Sequence, residues 1–247
     1  MSSQERDFLQ QYDATQFARP SVTVDLVLTS VLKNDLHVLL LHREQMPAKG
    51  KWALPGGFVA IDESLDDAAK RILKDKARVA SAYLEQLYTF GEVNRDPRMR
   101  IITVAYFALL PSSRFESALK ASSDLELAKL MVPWAGETGG AVEAYANDGR
   151  KLALAFDHAE ILGLAVKRLR GKLDYSEVGF ELLPPRFTLR QLQEIHEAIL
   201  GVRFNKPAFR RRILDKKILE PTGLYEDGVT YRPAELYRFV PAKPRRA

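Results

Sequence analysis

The stretch GGFVAIDESLDDAAKRILKDKARV, Gly56 to Val79, gathers residues suited to phosphate chemistry in an ordered spacing. Gly56 and Gly57 are followed by Glu63, Arg71, Asp75 and Lys76. Carboxylates four residues apart on one helix face can share a Mg²⁺ ion, which polarises a pyrophosphate and activates water. In the second half of this stretch, Asp75 is followed at once by a lysine. An ammonium ~4 Å from a cation is repelled by about one to several kcal/mol. The residues therefore pose a choice between cleaving a nucleotide and only holding one.

The stretch resembles the Nudix box, Gly-x5-Glu-x7-Arg-Glu-U-x-Glu-Glu-x-Gly-U with U aliphatic. Gly57, Glu63 and Arg71 match its first three fixed positions, and Leu73 and Val79 match both aliphatic ones. WALPGGFV just upstream is also typical of that family. The second half departs: Ile72 stands for the first glutamate, Asp75 and Lys76 for the glutamate pair, and Arg78 for the glycine. Ile72 can be neither ligand nor base, so hydrolysis by the usual route is not expected and Mg²⁺ is not expected to be held. Lys76, with Arg78, is read as supplying to a bound diphosphate the charge that a metal would otherwise supply. No catalytic residue is assigned. Arg43, Arg95, Arg98 and Arg100 add guanidinium forks suited to phosphate oxygens, with Arg95 and Asp96 as a surface ion pair the competing reading. Trp52, Tyr88 and Phe90 are candidates to stack on a base or ribose, against ordinary core packing.

These residues need a sheet and a helix to position them. SVTVDLVLTSVL, a turn at KND and LHVLLLHR read as a hairpin. Ser64 and Asp67 are placed like a capping box for the helix SLDDAAKRILKDKA, which turns Leu65, Ala68, Ala69 and Ile72 to one face. Strands are expected at 84–90 and 100–110. The glycine-rich stretch near 136–149 is the expected boundary between a first domain, 1–150, and a second, 151–247.

Composition is that of an ordinary globular chain: 247 residues, 46% apolar and 28% charged. There is no cysteine, which excludes thiol catalysis and cysteine-based zinc sites. His37, His42, His158 and His196 lack ligand spacing and read as core or surface histidines. No run of eighteen apolar residues occurs, so no membrane partner is expected. The polar start MSSQERDFLQQYDATQF is unlike a leader, and a cytoplasmic location is expected. Residues 151–247 hold 19 Lys+Arg against 12 Asp+Glu, or +7; of the totals 37 and 32 this leaves 18 against 20, or −2, for the rest. A basic C-terminal third suits a polyanion, or is merely a solvated surface.

In that third, FTLRQLQEIHEAILG has Thr188 as N-cap, Gln191 as its capping-box partner, Phe187 and Leu192 as staple, and Gly201 as stop. Leu189, Leu192, Ile195 and Ile199 form its apolar stripe. NKPAFRRRILDKK begins a second helix, with Asn205 as N-cap and Pro207 in the first turn. Phe209, Ile213 and, less closely, Leu214 face the core; Ala208, Arg211, Arg212 and Asp215 face outward, while Arg210 lies beside the apolar stripe. ILEPTGLYEDGVTYRPAELYRF reads as a hairpin around an Asp-Gly turn. This order is that of a winged helix-turn-helix. Arg211 and Arg212 suit base edges, Ala208 lets the helix approach closely, and Thr188, Arg190, Arg203, Asn205, Lys206, Lys216, Lys217 and the hairpin's Arg232 complete the expected DNA contacts, the cations on phosphates. RNA or a protein partner is the competing reading.

The expected fold is thus α+β: a Nudix-like α/β/α sandwich with a mixed sheet, followed by a winged helix-turn-helix. This combination resembles the Nudix-related transcriptional regulators of NAD metabolism, the NrtR family. The likeness also runs through RPSVTVD, YLEQLYTFG, RDPRMRIITVAY, LAFDHAEIL and RPAELYRF. It implies a homodimeric repressor of NAD biosynthesis or salvage genes on near-palindromic operator DNA, released by ADP-ribose as effector, with no cofactor. The rival is an active ADP-ribose pyrophosphatase with an accessory C-terminal domain.

Overall fold

The computed structural model describes residues 1–173, 178–230 and 232–240. The chain begins with α1 (Ser3–Gln11), which buries no side chain. The hairpin of β1 (Ser21–Leu32) and β2 (Asp35–His42) turns at Lys33 and Asn34, both with positive φ. That twist matches the natural twist of paired strands. Next come β3 (Trp52–Ala53), β4 (Gly56–Phe58), α2 (Leu65–Asp75), β5 (Glu85–Phe90) and β6 (Ile101–Leu109). They are followed by α3 (Ser113–Ala121), β7 (Leu125–Met131), β8 (Glu143–Tyr145), β9 (Lys151–Leu152) and α4 (His158–Lys172).

One mixed sheet runs β5-β6-β1-β2-β7-β8-β9, with β3 added on β2 and β4 on β1. β1 and β6 are parallel and in register from Ser21–Ile101 to Thr29–Leu109, while the other pairs are antiparallel. Helices cover both faces, so β1 reads as a nearly continuous apolar run. Its side chains alternate between two cores. Val24, Leu26 and Leu28 pack with Ala68, Ala69 and Ile72 of α2 and Phe115 of α3. Val27 packs on the other side with Ile161, Leu162 and Val166 of α4.

At the start of α2, Ser64 Oγ accepts the Asp67 N–H as expected, but Asp67 takes the Ser64 hydroxyl rather than its backbone N–H. The glycine-rich stretch does not divide the molecule. β8 and β9 lie within the sheet, and α4 buries Ile161, Leu162, Ala165, Val166 and Leu169 in its core. Residues 151–172 therefore belong with the first body, because α4 supplies the apolar layer over that face.

The second unit holds α5 (Leu189–Leu200), α6 (Lys206–Asp215), β10 (Leu219–Tyr225) and β11 (Glu235–Phe239). The Thr188–Gln191 capping box, the left-handed Gly201 and the Asn205 cap all form. Phe187 bridges to Tyr237 through two backbone hydrogen bonds, which tie the start of α5 to the hairpin. The hairpin connection is longer than an Asp-Gly turn: it spans 226–234 and is closed by Glu226, which bonds Ala234 through backbone and side chain. Phe209 and Ile213 are buried, whereas Leu214 is exposed, correcting its assignment to the core. α5 straddles two cores. Leu189 and Leu192 pack with Phe209 and Ile213, whereas Ile195 and Ile199 join α4 and the sheet.

Candidate functional site

A pocket of about 270 Å³ opens where β1, β4, the end of α2 and the loops after β2 and β5 meet. Its walls include Arg43, Gly56, Gly57, Lys76, Arg95 and Arg98, together with Asp25, Asp96, Phe156 and His158. Gly56 belongs there because of space: a Cβ on it would come within 2.0 Å of Asp25 Oδ1. A second cleft of about 500 Å³ shares Arg95 and Phe156 with the pocket and adds Lys51, Asn94, Asp157 and Glu160.

The floor is a buried charge network. Arg95 lies in a forked pair with Asp157, Nε to Oδ2 at 2.8 Å and Nη2 to Oδ1 at 2.7 Å, with Asp25 Oδ2 at 3.7 Å. Its side chain is only 4% exposed, so the reading of Arg95 and Asp96 as a surface ion pair is corrected. Asp96 is taken instead by Arg98, at 2.8 and 3.0 Å, and each stabilises the other's charged form: Asp96 is lowered and Arg98 raised. Asp25 also accepts the Thr103 hydroxyl at 2.7 Å. His158 Nδ1 accepts the Leu54 N–H, so the neutral ring carries its proton on Nε2, 4.0 Å from Asp25. Burial lowers the His158 pKa and keeps the ring neutral.

Above this floor, three cations face one another. Arg43 donates to the Pro47 carbonyl and stacks 4.9 Å from the Phe156 ring. Its pKa is lowered by burial and then by Arg98. Much of Lys76 remains accessible, yet it lines the pocket, and its pKa is lowered by desolvation and then by Arg43. Arg98 completes the set. Mutual repulsion of this kind is relieved by a bound anion.

The positions where the Nudix box carries carboxylates hold no such arrangement. Ile72 is fully buried beneath Gly57, and Asp75 is exposed. Glu63 is held bidentately by Arg71 at 2.6 and 2.7 Å, which lowers its pKa to about 2. Arg71 also donates to the Phe58 carbonyl, so the pair fastens the loop to α2. Among the described residues, no three His, Asp or Glu side chains converge to hold a metal ion. Arg78 donates to the Ala121 carbonyl, not into the pocket, which corrects its pairing with Lys76.

Of the other expected ligand residues, Trp52 packs on the core against His42, Phe90 packs at the core edge against Tyr88, and Arg100 donates to the Glu92 carbonyl. None of these lines the pocket. Sequence reasoning missed Asp25, Asp157 and His158 as parts of one site. A lone aspartate within a strand of buried aliphatics was the available signal, since charges are almost never buried unpaired.

In the second unit, α6 exposes Lys206, Ala208, Arg211, Arg212 and Asp215, and Arg212 stacks 5.1 Å from Phe204. Arg203 is 73% exposed while pairing with Glu197. Lys216 and Arg232 are exposed, and Arg190 lies 3.4 Å from Glu226. Thr188 is only 1% exposed, so its hydroxyl serves the helix cap and is withdrawn from a surface ligand. Asn205 caps α6 and remains exposed. α6 thus presents several exposed cations, with further exposed cations on the segments beside it.

Residues 21–137 match the NUDIX domain family, and residues 179–239 match the NrtR DNA-binding winged helix domain. The chain is 38% identical over 240 residues, 96% of its length and 89% of the relative's, to the ADPR responsive transcriptional repressor NtrR of Acinetobacter baylyi. Its structure resembles Shewanella oneidensis NrtR complexed with a 27mer DNA, with a TM-score of 0.71 and 35% identity, covering 88% of this chain and 93% of that one. It also resembles a MutT/nudix family protein from Enterococcus faecalis, with a TM-score of 0.73 and 26% identity over 97% and 94% of the two chains. With a Nudix body, a winged helix and full-length similarity all present, the chain belongs to the NrtR family of Nudix-related transcriptional regulators.

Proposed function

We propose that this protein is a cytoplasmic, homodimeric repressor of NAD biosynthesis or salvage genes, and that ADP-ribose bound in the Nudix pocket releases it from near-palindromic operator DNA. The effector unit runs through α4, and the DNA-binding unit starts after it. The ligand sites are the pocket cations Arg43, Lys76, Arg95 and Arg98 with Gly56 and Gly57. The DNA sites are the exposed residues of α6 with Arg190, Arg203 and Arg232. The naming of the Acinetobacter baylyi relative as ADPR-responsive supports the choice of effector.

One observation carries the reading: Lys76 and two arginines converge on the pocket while Ile72 is buried. The donor set does not fit a Nudix-type Mg²⁺, so Lys76 takes the place of metal charge beside a diphosphate and the nucleotide is held without being cut. A two-fold dimer presents two α6 helices to half-sites separated by turns of the duplex. By linkage, operator DNA weakens ADP-ribose binding by the same factor that ADP-ribose weakens DNA binding.

The test selects the tightest duplex from a random pool, titrates its complex with ADP-ribose in Mg²⁺ buffer, and recovers the nucleotide by chromatography. Released DNA with intact ADP-ribose is expected. Steady AMP release would overturn the reading in favour of a hydrolase, whereas Lys76→Glu gaining Mg²⁺-dependent hydrolysis with unchanged ADP-ribose affinity would overturn the role given to Lys76.

A further inference from the structure

α4 joins the two sites physically. Its fifteen residues span about 22 Å at 1.5 Å per residue. At the pocket end, His158 is its first residue and the N-cap Asp157 holds Arg95 in the forked pair. Along its length it is locked to the loop that follows β7. Gly163 lies against the Gly140 carbonyl so closely that a Cβ would come within 1.8 Å, and Gly139 lies against Lys167.

At the far end stands Arg170, 5% exposed. Its Nε donates to the Ile199 carbonyl at 2.9 Å, in the last turn of α5. Its Nη1 donates to the carbonyls of Trp134 at 3.2 Å and Gly136 at 2.9 Å, and its guanidinium lies 4.8 Å from the Trp134 ring. One planar fork thus holds three carbonyls from two units. The last carbonyls of a helix lack partners within it and attract cations, so α5 accepts this grip without losing a bond of its own. Gly201, which ends α5, leaves the room: a Cβ there would come within 3.1 Å of Arg170 Nη2. The gripped turn leads directly to α6. Glu197 accepts from the Phe204 N–H and from Arg203, and Gln193 donates to the Phe204 carbonyl, so the α5–α6 connection moves with the end of α5.

We infer that Arg170 is a positioning residue that couples the occupied pocket to the DNA-facing helix, with α4 as the strut between them; this rests on the reading of the pocket and of α6 given above. An anion entering the pocket competes with Asp157 for Arg95, and a displacement of α4 reaches Ile199 through Arg170. Arg170 touches neither ligand. Its removal therefore leaves both affinities near their starting values and weakens the link between them, since the apolar packing of Ile195 and Ile199 on α4 is then left to carry it.

The experiment measures, for the full-length chain, the dissociation constant of the selected duplex without and with saturating ADP-ribose; their ratio is the coupling factor. ADP-ribose affinity and thermal stability are measured alongside. Arg170→Gln loses the guanidinium charge, and Arg170→Lys keeps charge and bulk but lacks the fork that reaches both units, so either folded variant serves. The expected result is a coupling factor falling towards 1 with both separate affinities within severalfold of wild type. A folded variant that keeps the wild-type coupling factor overturns the inference, as does one whose ADP-ribose affinity collapses. If the wild-type protein itself shows no coupling, the function proposed above fails and the joint fails with it.

Discussion

Arginine does two different jobs in the two halves of this chain. In the first body its neighbours organise it: Arg95 is buried between Asp25 and Asp157, and Arg98 is clamped by Asp96. On α6, Arg211 and Arg212 face outward with Lys206 from a helix that buries only Phe209 and Ile213. Paired cations around a pocket fix the position of a small ligand before it arrives. An open row of cations instead follows the backbone of a polyanion, at the cost of sensitivity to salt. The same residue type is thus structural in one place and available in the other, and burial decides which.

Exchanging alanine for arginine in each region should give opposite results. Arg95→Ala leaves the buried Asp25 and the half-buried Asp157 without their cation, and breaking a buried pair costs about 3–5 kcal/mol. Arg211→Ala should change stability by no more than about 0.5 kcal/mol, as exposed sites do. Urea denaturation of both variants checks this, and equal effects would show that burial does not set the difference. In DNA binding the order reverses. Replacing both Arg211 and Arg212 by alanine should cost about 1–3 kcal/mol per contact and flatten the dependence on salt. Measured without DNA, ADP-ribose affinity should stay within about twofold, because no residue of α6 lines the pocket and changes at well-separated positions add independently. Fluorescence anisotropy across a salt series reads the first effect and calorimetry the second.

How much of this was legible beforehand follows from where the signals are local. The capping box at Thr188, the stop at Gly201 and the Asn205 cap are each set by a few adjacent residues, and all form as read. The pocket is different, because its floor joins Asp25 in β1, Arg95 after β5 and Asp157 before α4. Only the fold brings these together, whereas adjacency in the sequence points Arg95 to its neighbour Asp96. The boundary is hard to read from sequence for a related reason. Glycine marks a turn reliably, but whether the chain then leaves the domain depends on which core the next helix fills. α4 fills the first.

Lys76 stands between the two groups, as a cation that lines the pocket and still reaches water. Lys76→Met should weaken ADP-ribose by about tenfold, or 1.4 kcal/mol, with DNA affinity kept. Desolvation and Arg43 lower the Lys76 pKa below 10.5, so at rising pH the free protein loses this charge before an ordinary lysine does. ADP-ribose affinity should therefore fall over that window in wild type and stay flat in Lys76→Met. The stability of the free protein has the opposite sign. Between the lowered pKa and 10.5 the unfolded chain binds the extra proton, so stability rises with pH there.

The smallest effect concerns Arg78, a cation that belongs to neither group. It stands at the glycine of the Nudix box and adopts φ 56°, in the left-handed region that costs a residue with a Cβ roughly 1 kcal/mol. Its side chain donates to the Ala121 carbonyl at 3.0 Å and lies 3.8 Å from Asp124, exposed contacts worth about 0–1 kcal/mol. Backbone strain and surface contacts thus nearly offset each other, and a single variant cannot separate them. A pair can. Arg78→Ala loses the contacts and keeps the strain, whereas Arg78→Gly loses both. The glycine variant gives back part of its gain, because its unfolded chain is freer by roughly 0.5–1 kcal/mol. Arg78→Gly should then match or slightly exceed Arg78→Ala in urea stability, with ADP-ribose affinity equal to wild type in both. If either variant weakens ADP-ribose as Lys76→Met does, Arg78 belongs with the pocket cations after all.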